Sequence, residues 1–479
     1  MDMYRQQKGS FLFIFLFFVV IFLAEFSQGD EKSIGMKLEM IHRHDFRRNP
    51  DNGMQSLTQL ERIKQSLQSD TIRQQKSRNR RQVREITIVS SKCTDKVSGE
   101  MPLYSGADFQ SGEYFVSLSI GSPAQKFVMI ADTGSDLTWV NCEYRCHGPS
   151  CGGVSRNRRI FHADHSWSFD TVPCSSSMCK VDLVNLFALP DKCPSRDAPC
   201  AFQYRYLSGP DAPGIFAKET VTFGLTSGRE EKIHDMLVGC SEASNDQSFQ
   251  GADGVVGLGY SNYSFALRAA NIFGGKFSYC LVDHFSPQNM VSYLIFGSHE
   301  NKDSSTEHIR MRHTELVVGV VDEFYAVNMK GISVGNKMLE IRPDTWNVKD
   351  GGGMILDSGT SLTYLTQHAY QPVMDALKPS LKSFERLNLT IGQLEYCFNS
   401  TGFNEKMVPR LVFHFADGAR FEPPVNNYVI DVDEGAKCLG FVLLTWPDQS
   451  IIGNIMQQKH FWEFDIANRK LSYGSSSCI

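Results

Sequence analysis

The sequence predicts a mostly β protein made of two similar lobes. Short stretches in which apolar and polar residues alternate recur along the chain, among them residues 113–120 and 411–415, and clusters of Gly, Pro, Asn and Asp separate them. Helical periodicity is confined to short segments such as residues 367–377. One nine-residue motif also occurs twice. Many short strands in a duplicated chain predict an all-β fold with two β-barrel-like lobes and a cleft between them.

The length of the chain supports two folding units, since 479 residues are too many for one ordinary core. We place the N-terminal lobe at residues 112–312 and the C-terminal lobe at residues 324–478. Residues 313–323 are expected to cross between the lobes. A hydrophobic content of 42% is typical of a soluble globular protein and names no function by itself.

The repeated motif occupies residues 131–139 and 356–364 and carries one Asp in each copy, Asp132 and Asp357. In both copies an apolar run leads into Asp-Thr/Ser-Gly-Ser/Thr, which predicts a buried strand that ends in a tight turn at the glycine. One such copy alone would indicate only a turn. Two halves related by a pseudo-twofold axis would bring the acids together. Paired carboxylates cannot both ionise, so they supply a general base and a general acid at once.

These motifs resemble those of the pepsin-like aspartic proteases, and within them the plant nepenthesin-like branch, over residues 112–478. The resemblance also rests on Asp-Gly-Val-Val-Gly-Leu-Gly at 253–259, Ile-Ile-Gly-Asn at 451–454 and Phe-Asp-Ile-Ala-Asn at 464–468. In that family the Val-Val-Gly and Ile-Ile-Gly stretches pack beneath the catalytic loops. The resemblance implies a bilobal pepsin-like fold. It also implies an aspartic endopeptidase that hydrolyses peptide bonds at acid pH through a water activated by Asp132 and Asp357.

The resemblance also assigns supporting roles around the two acids. Hydroxyl groups next to them hydrogen-bond the carboxylates and hold them coplanar; the residues of these catalytic loops are Thr133, Gly134, Ser135, Ser358, Gly359 and Thr360. Trp139 supports the tyrosine of the flap, the hairpin that closes over substrate, and Tyr206 falls at the position of that tyrosine. Core packing is the alternative for Trp139 and Tyr206, and it is the interpretation we favour for Tyr364. At the flap tip Leu207 and Pro210 replace the usual Gly and hydroxyl residue, which predicts a stiffer tip and weaker pepstatin binding.

Residues 1–29 predict a cleavable secretory signal. Two basic residues precede an uninterrupted apolar run over residues 11–24, and small residues follow it. The run is shorter than the roughly 17 to 25 residues of a membrane-spanning helix, which disfavours a retained anchor. A plastid transit peptide stays open as an alternative, although the Phe-rich composition argues against it. We therefore expect a protein of the secretory pathway, extracellular or vacuolar, with no stable membrane span after cleavage.

Residues 30–100 predict a removable prosegment. They carry 15 Lys and Arg against 10 Asp and Glu, whereas the whole chain has a net charge of −5. A basic segment on an acidic body would loosen as acidification neutralises carboxylates, which suits a zymogen activated at low pH. A solvated helical spacer is the alternative. The basic residues 73–84 have no interleaved aromatic residues, so no nucleic-acid partner is expected.

The 13 cysteines indicate an oxidising compartment. Setting Cys93 aside leaves an even set between Cys142 and Cys478 that allows up to six disulfides, whose pairing cannot be deduced from sequence. The seven cysteines from Cys142 to Cys200 resemble the cysteine-rich insert of nepenthesin-like enzymes. Zinc is the rival interpretation, but no CxxC pair is present. We expect neither a metal nor a cofactor.

Three sequons, at Asn262, Asn388 and Asn399, predict glycosylation in the secretory pathway. The motifs of serine hydrolases, zincins and P-loop proteins are absent from the sequence. We expect a monomer that acts on polypeptides. The alternative is a non-catalytic binding protein on the same fold, similar to plant xylanase-inhibitor relatives that have lost part of the pair of acids. Both acids are present in this chain.

Overall fold

The structure is a computed structural model that describes most of the chain from residue 99 onward. All described residues belong to one compact unit, Gly35–Ile479. They are residues 99–105, 113–145, 159–186, 193–204, 212–225, 229–241, 252–284, 286, 292–297, 309–321, 323–389 and 391–478. The predicted signal segment, and the predicted prosegment up to residue 98, lie outside this set.

The described chain is built mainly from strands, which confirms the predicted fold class. The strands of the first half are β1 (Gly99–Ser105), β2 (Tyr114–Ile120), β3 (Gln125–Asp132), β4 (Thr138–Glu143), β5 (Phe161–His162), β6 (Asp170–Thr171), β7 (Ala201–Tyr204), β8 (Ala212–Gly224), β9 (Glu230–Ser241), β10 (Gly254–Gly257), β11 (Lys276–Cys280) and β12 (Ser292–Phe296). Those of the second half are β13 (Arg312–Val317), β14 (Tyr325–Val327), β15 (Met329–Val334), β16 (Lys337–Met338), β17 (Met354–Leu356), β18 (Thr363–Thr366), β19 (Arg386–Leu387), β20 (Cys397–Asn399), β21 (Leu411–Phe415), β22 (Arg420–Phe421), β23 (Val429–Asp433), β24 (Ala436–Leu439), β25 (Phe441–Leu444), β26 (Ser450–Ile452), β27 (His460–Asp465) and β28 (Lys470–Ser475).

Helices are few and short. The α-helical segments are Val184–Leu186, Phe265–Ile272, Gln367–Leu377 and Asn454–Gln457; Met178–Leu183 is a π-helix, and 3-10 turns occupy Ala163–His165, Pro343–Trp346, Val348–Asp350, Lys378–Leu381, Glu405–Met407 and Val425–Asn427. The predicted helix at 367–377 is confirmed, with buried apolar residues at helical spacing on one side. Within the described residues, no helix is both long and apolar enough to cross a membrane.

Each repeated motif lies in a sheet, and five neighbouring strands of each sheet follow the same order. The first half orders its strands β2–β3–β10–β4–β9. The second half orders its strands β14–β17–β26–β18–β25. In both sheets the successive pairings are antiparallel, parallel, antiparallel and parallel. The duplication predicted from nine residues thus extends to the topology of the two halves.

A further sheet joins the two halves. Its order is β1–β12–β11–β27–β28–β13, so β11 of the first half pairs directly with β27 of the second half. Across this pairing the rings of Phe277 and Phe464 stack with centroids 4.8 Å apart. The ring of Tyr325 lies 5.0 Å from that of Phe464. This joining sheet and its aromatic core fix one half against the other.

Two strands lie at the predicted lobe boundaries. The N-terminal lobe was expected to begin at residue 112, yet β1 begins at Gly99 and pairs with β12 and β2. Its buried apolar residues, Met101 and Leu103, are too few beside Pro102 to mark a strand in sequence. The segment expected to cross between lobes, 313–323, begins as a strand, because Arg312–Val317 pairs with β28 and then with β14.

Five disulfides lie in the described part of the chain. They join Cys142 to Cys240, Cys174 to Cys193, Cys179 to Cys200, Cys280 to Cys478, and Cys397 to Cys438. Two of them lie wholly within the predicted cysteine-rich insert, whereas Cys142 reaches out of the insert to β9. Cys93, Cys146 and Cys151 lie outside the described residues.

Candidate active site

The two acids sit at equivalent ends of strands. Asp132 is the last residue of β3, and Asp357 follows β17 directly. The residues just before each acid, 127–131 in β3 and 354–356 in β17, are buried and apolar because each strand has a parallel neighbour and a further strand on its other side. The acids themselves are 3% and 5% exposed. The local sequence therefore places one carboxylate at the same place in each half.

The carboxylate of Asp132 is held by its own turn. Oδ1 accepts a hydrogen bond from the N–H of Gly134 at 2.9 Å, and Oδ2 accepts one from the hydroxyl of Ser135 at 2.6 Å. These two bonds fix the plane of the carboxylate. For Ser135 this is the contact that the family resemblance implies.

The carboxylate of Asp357 has the same two kinds of partner. Oδ1 accepts from the N–H of Gly359 at 2.8 Å, and Oδ2 accepts from the hydroxyl of Thr360 at 2.5 Å. The two carboxylates are therefore bonded atom for atom in the same way. A turn that only capped a strand end would not need this repetition.

The inner hydroxyls, of Thr133 and Ser358, are bonded differently from what the resemblance implied. The N–H of Ser358 donates to the Thr133 hydroxyl at 2.9 Å, and the N–H of Thr133 donates to the Ser358 hydroxyl at 3.1 Å. The two hydroxyls donate in turn to the carbonyls of Leu356 and Ala131. Side chains alternate along an extended chain, so the residue after each acid points across to the opposite motif. These two hydroxyls join the two loops.

Gly134 brings the second acid close to the first. A Cβ atom added to Gly134 would lie 2.9 Å from both carboxylate oxygens of Asp357. The loop whose N–H binds Asp132 therefore packs directly against the carboxylate of Asp357. Together with the crossed hydroxyl bonds, this contact brings the two predicted acids into one site.

We expect Thr133→Val and Ser358→Ala each to lower the free energy of unfolding by about 1 to 3 kcal/mol, because each leaves a buried N–H of the opposite loop without its acceptor. Chemical denaturation of the folded protein measures this cost. The double variant should cost less than the sum, since both residues belong to one network. Thr445→Val, at an exposed threonine outside the sequons, is the control. Strictly additive costs would contradict the network.

The glycines beneath the loops have a packing role, as the resemblance implies. A Cβ atom on Gly257 would lie 2.8 Å from the carbonyl carbon of Leu137, and one on Gly453 would lie 2.1 Å from the carbonyl oxygen of Leu362. The ends of β10 and β26 therefore touch the backbone just after the two turns that carry the acids, where only glycine fits.

Two polar side chains that the sequence did not predict as part of the site lie beneath Asp357. The side-chain amide of Asn454 donates to the carbonyl of Ser358 at 3.0 Å, and that of Gln457 donates to the carbonyl of Asp357 at 3.3 Å. The pKa of Tyr279 is raised well above its ordinary value, mainly because the side chain is buried and to a lesser extent because the charge of Asp357 is nearby. Asn454 closes one of the family motifs, so a signal for it was present. Gln457 follows one helical turn later and carries no signal of its own.

The aromatic residues that follow each acid are buried. Trp139 is 7% exposed and belongs to the same apolar cluster as Phe202 and Val255. Tyr364 is 1% exposed in the corresponding cluster of the second half. Core packing, the interpretation favoured for Tyr364, therefore describes its surroundings.

The predicted flap tyrosine, Tyr206, lies outside the described residues, as do Leu207 and Pro210. The strands that flank them form the expected hairpin, since β7 and β8 pair antiparallel up to Tyr204 and Ala212. A support of the flap by Trp139 thus stays a prediction.

Of the three sequon asparagines, Asn262 and Asn388 are exposed. Asn399 is half-buried, and its Oδ1 accepts bonds from the N–H and the hydroxyl of Thr401 at 3.0 and 2.7 Å. Their glycosylation stays a prediction. In the described part of the chain, no group of three or more His, Cys, Asp or Glu side chains is arranged to hold a metal ion.

Comparison with family models gives two matches that together span most of the described chain. Residues 114–298 match the model described as "Xylanase inhibitor N-terminal", and residues 324–475 match "Xylanase inhibitor C-terminal". The break between the two matches, residues 299–323, includes the segment 313–323 that is predicted to cross between the lobes.

Curated relatives are plant proteins named as aspartic proteases. The chain is 34% identical to "Aspartyl protease family protein 2" of Arabidopsis thaliana over 382 residues, which cover 78% of this chain and 73% of that protein. It is 33% identical to "Aspartic proteinase nepenthesin-1" of Nepenthes gracilis, covering 79% and 80%. It is 30% identical to nepenthesin-2 of the same species, covering 91% and 92%.

Solved structures share the fold at low sequence identity. The crystal structure of edgp matches with a TM-score of 0.64 at 17% identity, over 80% of this chain and 96% of that chain. Basic 7S globulin from soybean matches with a TM-score of 0.61 at 17% identity, over 80% and 97%. These likenesses support the bilobal all-β fold.

Proposed function

The chain belongs to the nepenthesin-like family of plant aspartic proteases, and from this we propose that it is itself an aspartic endopeptidase that cleaves polypeptides at acid pH. One observation carries the proposal. The carboxylates of Asp132 and Asp357 are bonded by the same kinds of donor in two loops that lock together, so both halves retain a complete acid.

The paired carboxylates supply both proton roles of peptide hydrolysis. Two carboxyl groups in contact hold one proton between them, because the second ionisation would place two negative charges side by side. The ionised group takes a proton from a water molecule held between the acids, and the protonated group polarises the peptide carbonyl. Water attacks directly, so no covalent enzyme intermediate forms. A single shared proton predicts a bell-shaped pH profile on the acid side of neutrality.

The test is cleavage of a denatured protein by purified, acid-activated enzyme, with peptide products identified by mass spectrometry. We expect cleavage that peaks at acid pH and that pepstatin, a transition-state analogue, inhibits. A folded protein that cleaves nothing across the acid range would contradict the proposal. That result would favour the alternative, a non-catalytic binding protein on the same fold. The matching family models are themselves described as xylanase inhibitor domains.

We further propose that the enzyme is made as a secreted precursor. The precursor would lose residues 1–29 and later its basic segment. Because β1 pairs with two strands of the body, the mature chain has to retain it. Expression in a secretory host, followed by N-terminal sequencing of the acid-activated enzyme, should give a mature start between residues 84 and 99. Active enzyme that starts at residue 30 would contradict the prosegment, and a start beyond residue 105 would contradict the role of β1.

A further inference from the structure

A glutamine lies beneath one acid. Gln457 is fully buried, and its side-chain amide bridges two backbone carbonyls at the base of the Asp357 loop. Its Nε2 donates to the carbonyl of Ile452 at 2.7 Å and to that of Asp357 at 3.3 Å. The N–H of Asp357 also donates to the Ile452 carbonyl, at 3.1 Å. The amide therefore ties the end of the catalytic strand to the neighbouring strand.

A tyrosine from the other half of the chain orients this amide. Tyr279, on β11, is fully buried and donates its hydroxyl hydrogen bond to Oε1 of Gln457. Because the hydroxyl occupies Oε1, the NH₂ group is directed at the two carbonyls. The indole N–H of Trp462 donates to the backbone carbonyl of Gln457 at 2.9 Å, which fixes the residue itself. The side chain of Tyr279 thus connects the joining sheet to Gln457, which binds the base of the Asp357 loop.

The first half differs at the equivalent place. Gln457 stands four residues after Gly453, and the residue four after Gly257 is Ser261. The Ser261 hydroxyl accepts a bond from the N–H of Tyr263 at 3.3 Å, within its own turn. The hydrogen bonds to the two carboxylates are therefore the same in both halves, whereas the residues beneath the two loops differ.

We propose that Gln457, oriented by Tyr279, is a positioning residue that holds Asp357 in register with Asp132 and makes the two acids unequal. The proposal rests on the proposed endopeptidase function. A donor on the Asp357 backbone carbonyl offsets the negative end of a peptide dipole that lies beside the Asp357 carboxylate. This favours the ionised form of that carboxylate.

The titratable groups that face this loop in the described chain include Asp132, Tyr279 and, through Asn454, His284. Tyr279 stays neutral, and so remains a donor, at every acid pH.

Gln457→Leu is similar in size and removes the Nε2 donor to both carbonyls together with the Oε1 acceptor of Tyr279. We expect kcat to fall by about tenfold, because a small misplacement of a catalytic group is costly, while KM changes by less than about twofold. The acid limb of the pH profile should move to higher pH, since the ionised form of the pair loses stabilisation. Gln457→Glu, protonated at acid pH, keeps one donor and should restore part of kcat there. Tyr279→Phe should move kcat and the acid limb in the same direction by less.

The chain offers a matched control in Tyr114. This tyrosine is also fully buried, accepts a bond from the adjacent Gln458 at 2.9 Å and donates to the carbonyl of Val282. Tyr114→Phe should cost similar stability and leave the pH profile as in the wild type. The proposal is overturned if Gln457→Leu keeps the wild-type kcat and pH profile. It is also overturned if Tyr114→Phe shifts the profile as much as Tyr279→Phe does.

A second readout does not need peptidase activity. In the wild-type background, the loss of unfolding free energy caused by Gln457→Leu should vary with pH. In an Asp357→Asn background the same loss should be constant with pH, because the carboxyl group of Asp357 that titrates has been removed. If the wild-type protein cleaves nothing, the proposed function fails while this cycle still tests the positioning. A pH-dependent loss that persists unchanged in Asp357→Asn would overturn the coupling.

Discussion

We expect Asp132→Asn and Asp357→Asn each to lower kcat/KM on a denatured protein substrate by about a thousandfold or more, because in the proposed mechanism each removes one of the two proton roles. Packing is preserved, since Asn has nearly the volume of Asp and its Oδ1 can still accept from the N–H of Gly134 or Gly359. The free energy of unfolding should stay the same or rise, because one of two buried, facing carboxylates has been neutralised. Activity assays at acid pH and denaturation curves on the same preparations check both expectations.

Asp253→Asn is the control for these two variants. Asp253 is also a buried carboxylate, but it accepts bonds from the backbone N–H groups of Val128 and Arg159 at 2.8 and 3.1 Å, and its role is structural. This variant should lose stability and keep its activity per folded molecule. Full activity in either catalytic variant, with correct mass and fold, would refute the mechanism.

Gly134→Ala is expected to lower kcat by about a hundredfold while the protein still folds. Its Cβ would lie 2.9 Å from both carboxylate oxygens of Asp357, so that carboxylate or the turn has to shift. In the proposed mechanism the two acids share one water, and a misplacement of a catalytic group by about 1 Å can cost about a hundredfold in rate. Steady-state kinetics at the pH optimum of the wild type measures the loss.

Gly402→Ala separates this effect from the general cost of replacing glycine. Gly402 has a φ of +76° and nothing within 4 Å of an added Cβ, so its replacement strains the backbone without touching the acids. It should lower the melting temperature and leave kcat intact. If Gly134→Ala behaves in the same way, the close contact with Asp357 has no catalytic consequence.

What the sequence could predict here is local. An apolar run that ends in Asp-Thr-Gly specifies a buried strand, a tight turn and a carboxylate at the turn, and a second copy specifies the same unit again. The helix at 367–377 and the hairpin of β7 and β8 follow from periodicity and turn residues in the same way. The matching topology of the two sheets is the outcome of these local signals acting twice.

What the sequence could not predict depends on contacts between distant segments. The hydroxyls of Thr133 and Ser358 were expected on their own carboxylates, and only the approach of the two loops directs them across. β1 has too little alternation to show as a strand until β12 pairs with it. Gln457 and Tyr279 are 178 residues apart and meet only because β11 pairs with β27. Disulfide pairing likewise depends on contacts between segments that are far apart in the sequence.

The pairing of β11 with β27 also bears on how the chain is made. Synthesis runs from the N-terminus, so β11 is complete when residue 280 has been added, whereas β27 begins only at residue 460. At the usual speed of translation this interval lasts on the order of ten seconds. Throughout it, one edge of β11 has no partner strand, and open edges invite pairing between nascent chains. Only β27, the second-last strand to be synthesised, closes this edge, so a chain that terminates before residue 460 retains a permanent template for aggregation.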